Sequence, residues 1–240
     1  MKTSTTYLLA ALLVLLASLT AYNMALRTEY HSGAYQDPLR NYKVLGFKDF
    51  TAVDIPAGSA LSVKIVAGPF GVRVNAAATS FVRVSQQGGQ LRLALDFPHE
   101  PESLGWGETV VVSCPHLATL TTGATYQAAG QPRHDSTLTG RQTLVQGFMQ
   151  DSLTLRADQG SQIMLSNNKL NYLRATAGAT PGSPTKLQLS PSNRIAAGHL
   201  LMQNKSQLVL AAAITPQLRY ELADSAQLTA SGAVLAGLKR

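Results

Sequence analysis

Two hundred and forty residues, 45% of them hydrophobic, can bury a core large enough for one medium domain or two small ones, which excludes a disordered chain. Charged residues make up only 14% of the chain and aromatics 6%, against 19 Gly and 11 Pro, a balance that favours many short strands and turns over charged amphipathic helices. The formal charge is +7, but it is thinly spread. No lysine run, recognition-helix pattern, zinc-finger spacing or aromatic RNA-binding signature accompanies it, so nucleic acid is excluded as a partner and an anionic envelope polymer or headgroup is the more natural one.

In chain order the first feature is Tyr7 to Leu26, an uncharged stretch dense in Leu and Ala, with Lys2 before it and Arg27 after it. A helix of that length rises about 30 Å, enough to cross a bilayer. A secretory signal shares the basic start and apolar middle, but a small-x-small cleavage site is missing, since Ala21 has Leu19 two positions earlier and Ala25 has Asn23. An uncleaved anchor and a cleaved signal both export the remainder of the chain. With Lys2 retained in the cytoplasm, the chain after Leu26 is expected outside the membrane, in the cell envelope. The expected organisation is residues 1–6 as a cytoplasmic N-terminus, 7–26 as the anchor or signal segment, 27–46 as a polar, turn-rich tether, 47–235 as the folded domain and 236–240 as a tail.

From Phe47 the hydrophobic period is two. Phe50 to Ile55, Leu61 to Val66, Gly71 to Asn75, Phe81 to Val84, Leu91 to Leu95 and Thr109 to Ser113 read as short strands, with turns at Pro56-Ala57-Gly58-Ser59 and Gln87-Gly88-Gly89-Gln90. After Pro115 a loose repeat sets in. Small residues precede apolar strands at Gly123, Gly140, Ser161, Ser183, Ser206 and Ser225, with successive spacings of 17, 21, 22, 23 and 19. A period near 20 with slack in the turns is what a β-solenoid produces, in which Ile163, Leu187, Leu208 and Leu228 would stack inside successive rungs. An antiparallel sandwich with evenly spaced hairpins is the competing architecture.

The run Phe47-x-x-Phe50-x-x-Val53-x-Ile55-x-x-Gly58, then Leu61-x-Val63-x-Ile65, Val72-x-Val74 and Leu91-x-Leu93, resembles the opening of the auto-transporter adhesin, head GIN domain family. Val110-Val111-Val112, leading through Pro115-x-Leu117-x-x-Leu120 to Thr122-Gly123-Ala124-Thr125, is similar to a later segment of that family. Thr122 and Thr125 stand where serine is usual, and the loop from Phe97 to Glu108 is longer. The resemblance spans about Phe47 to Ala230. It implies an all-β fold, a right-handed parallel β-helix or β-solenoid-like domain behind a single N-terminal transmembrane or signal helix, with an adhesin-like role and no catalytic residues to carry over.

Candidate chemistry is sparse. Asp96, His99, Glu100 and Glu102 could ligate a divalent cation, but in a loop broken by Pro98 and Pro101 they read as a solvated cluster, and no metal or cofactor is expected. His134-Asp135-Ser136 has the residue types of a hydrolase triad in a geometry that adjacency forbids, and reads as a turn. A polysaccharide lyase or hydrolase would need paired carboxylates, for which only Asp151 with Asp158 and Glu221 with Asp224 are candidates. Cys114, the single cysteine, can form no internal disulfide and reads as a small core residue. The sharpest binding signal is a pattern shared by four strands, Val63-Lys64-Ile65, Val72-Arg73-Val74, Val82-Arg83-Val84 and Leu91-Arg92-Leu93. If these are neighbours in one sheet, Lys64, Arg73, Arg83 and Arg92 form an outward basic stripe, either a solvated face or a surface for an acidic glycan or lipid headgroups. The expected function is therefore a non-enzymatic, adhesin-like interaction or scaffold module, with membrane contact through the N-terminal helix. A polysaccharide-processing enzyme and a periplasmic carrier of lipid or glycolipid are the alternatives.

Overall fold

A computed structural model describes residues 3–33, 37–105, 107–182, 184–211, 217–232 and 234. Ser183, one of the repeat positions, and the expected tail 236–240 lie outside the described residues. The chain divides into two compact units, Met1–Tyr42 and Lys43–Arg240.

The first unit is built on one helix, α1 (Thr3–Ser32), with neither Gly nor Pro inside it. Gly33, at φ +67°, ends it by donating its N–H to the Tyr30 carbonyl at 3.2 Å. Residues Thr5–His31 are long and apolar enough to cross a membrane, and none of that surface is buried. The few hydroxyls are satisfied within the helix, as a lipid environment requires: Ser18 donates to the Val14 carbonyl at 2.8 Å and Thr20 to Leu16 at 2.8 Å. The helix outlasts the apolar run, so the opening of the expected tether is helical. Arg40 then returns to Glu29 at 2.7 Å.

The second unit is mostly strand and turn, with a short 3-10 helix at Ala76–Ala78. Its first half holds β1 (Tyr42–Leu45), β2 (Ala52–Ile55), β3 (Val63–Ala67), β4 (Gly71–Asn75), β5 (Val82–Gln87), β6 (Gln90–Phe97), β7 (Val110–Cys114), β8 (Thr119–Thr122), β9 (Thr125–Ala128) and β10 (Gln131–His134). Its second half holds β11 (Thr143–Gln146), β12 (Met149–Ala157), β13 (Gln162–Ser166), β14 (Lys169–Ala177), β15 (Thr185–Leu189), β16 (Arg194–Met202), β17 (Ser206–Leu210), β18 (Leu218–Leu222) and β19 (Gln227–Ala230). They form two mixed sheets, one in the order β1-β4-β7-β3-β11-β13-β15-β17-β19 and the other β10-β9-β6-β2-β8-β12-β14-β16-β18, with β5 beside β6. Neither order closes on itself as a barrel.

From β11 onward the chain alternates between the sheets, and each strand pairs in parallel with the strand two places along. Four of the repeat positions now have a meaning, because Gly140, Ser161, Ser206 and Ser225 all lead into strands of the nine-stranded sheet. Gly123 does not. It leads into β9, which forms an antiparallel hairpin with β10, and this accounts for the short first spacing. Antiparallel pairs also join β4 to β7 and β5 to β6, so the regular parallel order expected of the whole domain does not extend through its first half.

The core is a set of registered rows. Val110, Val63, Thr143, Ile163, Leu187, Leu208 and Leu228 are paired in succession across the nine-stranded sheet. Leu91, Val53, Leu120, Leu155, Ala175, Leu200 and Tyr220 do the same across the other. All but the terminal Leu228 and Tyr220 are buried. The nine-residue strands β12, β14 and β16 share an irregularity: inward residues step by three rather than two from Gln150 to Leu153, Leu170 to Leu173 and Ile195 to Gly198. One extra outward residue at the same level in adjacent strands bends all three together. Gly198 sits at that bend because a Cβ would lie 2.7 Å from the Leu173 carbonyl oxygen.

Corners between the sheets are fixed by asparagine. The buried Asn168 amide donates to the Val145 carbonyl and to Asn193 Oδ1, both at 3.0 Å, and its oxygen accepts from the Phe148 N–H at 3.0 Å. Asn193 repeats the pattern one rung on, donating to Leu165 at 2.7 Å. Each amide thus satisfies backbone groups that a sharp corner would otherwise bury unpaired.

Ile163→Ala or Leu187→Ala should cost about 2–5 kcal/mol by leaving a cavity in a registered row. Gln162→Ala and Gln207→Ala, on the outward face, should stay within about 0.5 kcal/mol. Urea unfolding measures both sets, and equal losses at both would overturn the register.

Candidate functional site

The four cations singled out by the strand pattern do not share a sheet. Lys64 on β3 and Arg73 on β4 belong to the nine-stranded sheet, where both are paired with Val111 of β7 and so flank it. Arg83 on β5 and Arg92 on β6 belong to the ten-stranded sheet. The single stripe is therefore corrected to two pairs, because the chain changes sheet between β4 and β5. The second pair is also offset by acids. Arg92 Nη1 lies 2.8 Å from Asp54 Oδ2, and Arg83 Nε lies 3.9 Å from Asp96 Oδ2. Asp54 is the more buried partner, and burial raises its pKa while the Arg92 charge opposes the rise.

The larger cationic surface lies further along the chain. The same apolar-cation-apolar pattern occurs at Leu155-Arg156-Ala157 on β12, Leu173-Arg174-Ala175 on β14 and Leu218-Arg219-Tyr220 on β18, all in one sheet. Thr119, Thr154, Arg174, His199 and Arg219 form one outward row, and Thr121, Arg156, Thr176, Leu201 and Glu221 form the next. Arg156, Arg174 and Arg219 are exposed and make no ion pair among the described residues. The acid on this surface, Glu221, is engaged by His199 Nε2 at 2.8 Å. Strands are about 4.8 Å apart, so Arg174 and Arg219, separated by β16, stand about 10 Å apart at their roots. That is beyond the screening length of about 8 Å at physiological salt, so their fields add chiefly at low ionic strength. The triplet pattern could have found these residues from sequence, had it been followed past Pro115.

The carboxylates do not pair for acid-base work. Asp151 and Asp158 lie on and just beyond β12, a strand's length apart, because consecutive residues of an extended chain move away from each other at about 3.3 Å each. Asp151 accepts from Asn171 at 2.7 Å. Asp158 caps a turn, accepting from the Thr180 N–H at 3.0 Å and its hydroxyl at 2.6 Å. His134 is not in a turn but ends β10, whereas Asp135 is tied to the fully buried Ser59, whose hydroxyl donates to it at 2.7 Å. In the loop after β6, Glu100 reaches Arg133 at 3.5 Å, and Asp96 is beside Arg83. Among the described residues no group of three or more His, Cys, Asp or Glu has the arrangement to hold a metal ion.

The ten-stranded sheet also forks. β6 pairs with β2 only from Gln90 to Arg92, and then with β9 at Asp96 and Phe97, while β2 continues against β8 as far as Ile55. A cleft of about 440 Å³ opens between the limbs.

No protein-family model matches the sequence, and no curated protein matches it. Among solved structures, a "putative adhesin" from Bacteroides fragilis is similar at 11% identity and a TM-score of 0.46, over 79% of this chain and 92% of its own. A "putative adhesin" from Parabacteroides merdae is similar at 10% identity and a TM-score of 0.35, over 79% and 95%. A "putative lipid binding protein" from Parabacteroides distasonis is similar at 7% identity and a TM-score of 0.37, over 80% and 94%.

Cys114 ends β7 within the core, and burial pushes its thiol up to about 12. A raised pKa means that the protonated thiol's stabilising contribution is complete below the ordinary value near 9.0 and is lost as pH climbs toward 12. Iodoacetamide near pH 8 should therefore leave Cys114 unmodified in the folded protein and label it as urea unfolds the chain. Rapid labelling of the native protein, followed by mass spectrometry, would contradict this placement.

Proposed function

We propose that this chain is a non-enzymatic module of the cell envelope, held at the membrane by α1 with the strand domain outside, and that it binds anionic polymers or headgroups. In this reading β11 to β19 are the coils of a β-solenoid, a parallel β-helix whose right-handed sense follows the general preference for right-handed crossovers between parallel strands. The positive Lys2 before the apolar run and the uncharged length of α1 support the orientation.

The observation that carries the reading is the row Arg174, His199, Arg219 with Arg156 beside it. Three exposed guanidinium groups stand on β12, β14 and β18 of one sheet with no ion pair of their own among the described residues, among hydroxyls of Thr119, Thr121, Thr154 and Thr176. Arginine's planar fork suits carboxylate or phosphate oxygens in pairs, and threonine hydroxyls add neutral hydrogen bonds to the same oxygens. Lys64 and Arg73 offer a smaller patch of the same chemistry on the other sheet, whereas Arg83 and Arg92 are occupied by acids. The shared ligand chemistry is an array of anionic oxygens, supplied by an acidic glycan or by lipid headgroups, and a polysaccharide probe and a vesicle probe separate the two sources.

A protein beginning at Tyr42 should bind either polygalacturonate or phosphatidylglycerol vesicles at low salt, and binding should weaken steeply as salt screens the field. Replacing Arg156, Arg174 and Arg219 together by Gln should lower affinity about tenfold or more. The Lys64→Gln, Arg73→Gln pair should have a smaller effect, and Arg83→Gln almost none. Undiminished binding by the triple variant, or no binding to either probe by the native sequence, would overturn the assignment.

A further inference from the structure

Where the ten-stranded sheet forks, Asp54, Arg92, Thr121, Thr125, Tyr126 and Gln127 line the cleft between the limbs. We infer that this cleft is a second binding site, for a neutral sugar unit of a glycan, adjoining the cationic surface at Thr121, which pairs with Arg156, but not dependent on its guanidinium groups.

The fork is built into the fold. β2 ends at Ile55 because Pro56 comes next, which has no N–H to continue a ladder. Its carbonyl instead accepts from the Thr125 N–H at 2.7 Å, while the Gly123 N–H goes to Ile55 at 3.0 Å. These bonds hold the β8–β9 corner on one limb. On the other limb β6 is held by β5 along its far side, from Gln90 to Leu95. Both walls are thus rigid before any ligand arrives, and the opening, about 440 Å³, falls within the range of about 300–1,000 Å³ typical of small-molecule sites.

Charge balance selects the ligand class. Asp54 and Arg92 are 2.8 Å apart and cancel, so a free anion meets the carboxylate and a free cation meets the guanidinium. The Asp54 side chain is 14% exposed, and its Oδ1 has no hydrogen-bond partner among the described residues, which leaves an acceptor facing an opening that donors can enter. Gln127 and the hydroxyls of Thr121 and Thr125 each donate and accept, and Gln159 adds a second amide from its turn at φ +49°. Tyr126 is fixed by an edge-on contact with Phe97, ring centroids 6.1 Å apart, and by its hydroxyl, which donates to Asp135 at 3.4 Å. Its ring packs against the core on the opposite face of β9 from Thr125 and Gln127, and so holds that wall in place. An apolar ligand would strip water from the ion pair and amides without replacing it. A pyranose ring carries hydroxyls that donate and accept at once, which matches the polar, charge-balanced lining of the cleft.

The test is a nitrogen-proton NMR titration of a protein beginning at Tyr42 with cellotriose, chitotriose and maltotriose separately, at low and at high salt. At least one should shift the amide signals of Thr121, Thr125 and Gln127 with millimolar affinity, equally at both salt concentrations because no net charge is involved. Gln127→Ala, on an exposed strand position, should weaken that binding about tenfold while leaving the far-ultraviolet spectrum and melting temperature unchanged. Arg92→Gln should weaken it as well. If no oligosaccharide shifts these signals, if the shifts map to the Arg156–Arg219 surface or vanish with salt, or if Gln127→Ala binds as the native sequence does, the cleft is not a sugar site.

Discussion

The second half of the strand unit depends on parallel strands pairing in strict register with the strands two places along. A residue at a given level in one strand therefore meets the residue at the same level in the next, and the pleat decides only which side of the sheet they share. Inside, the consequence is that apolar shapes must stack without offset. Ile163, Leu187 and Leu208 do so as branched or γ-branched side chains of similar volume, and the fully buried Thr143 continues the row. The regularity reaches the corners, where Asn168 after β13 and Asn193 after β15 occupy equivalent places and bind one another.

The same register governs the outer face, with less freedom than an ordinary surface has. Lys169 and Arg194 do stand side by side at one level, but Arg156, Arg174 and Arg219 are interleaved with other residues. Arg156 is paired across the ladder with Thr176, Arg174 with Thr154 and His199, and Arg219 with His199. Spacing by threonine and histidine keeps the guanidinium groups apart while leaving them on one plane. Registered strands thus turn a scattered set of basic residues, ordinary in a chain of net charge +7, into an ordered array.

Strand positions were legible in the sequence because period-two alternation between Gly and Pro punctuation is a local signal. Gly71–Asn75 is matched residue for residue, and the stacking of Ile163, Leu187, Leu208 and Leu228 follows from repeat spacing alone. Sheet membership was not legible. Alternation shows that Arg73 and Arg83 point away from the core, but nothing within either strand records that the chain crosses to the other sheet between them. The fork at Arg92 was equally hidden, since it arises where β6 trades β2 for β9, a partner more than thirty residues further on. Asp54 gave no sign of pairing with Arg92, because their contact spans 38 positions of chain.

The two halves of the domain also differ in how their order is reached. In the second half each new strand finds its partner about one coil away, so the entropy of closing each loop is modest and similar from coil to coil. The first half has no such local template. β3 must wait for β11, whose Thr143 pairs with Val63 across eighty positions, and β8 must hold both β2 and β12. Such long closures are slow to find, and the antiparallel hairpins β5–β6 and β9–β10, made from adjacent segments, lie in this half. Hairpins form from adjacent segments and give the long-range strands a surface to dock against. The mixed order of the first half is thus the foundation on which the regular half is laid, and β3 and β8 are the joints between them. The fork lies one strand from β8, on the irregular side, where the sheet has not yet settled into the repeating pattern and a gap can persist.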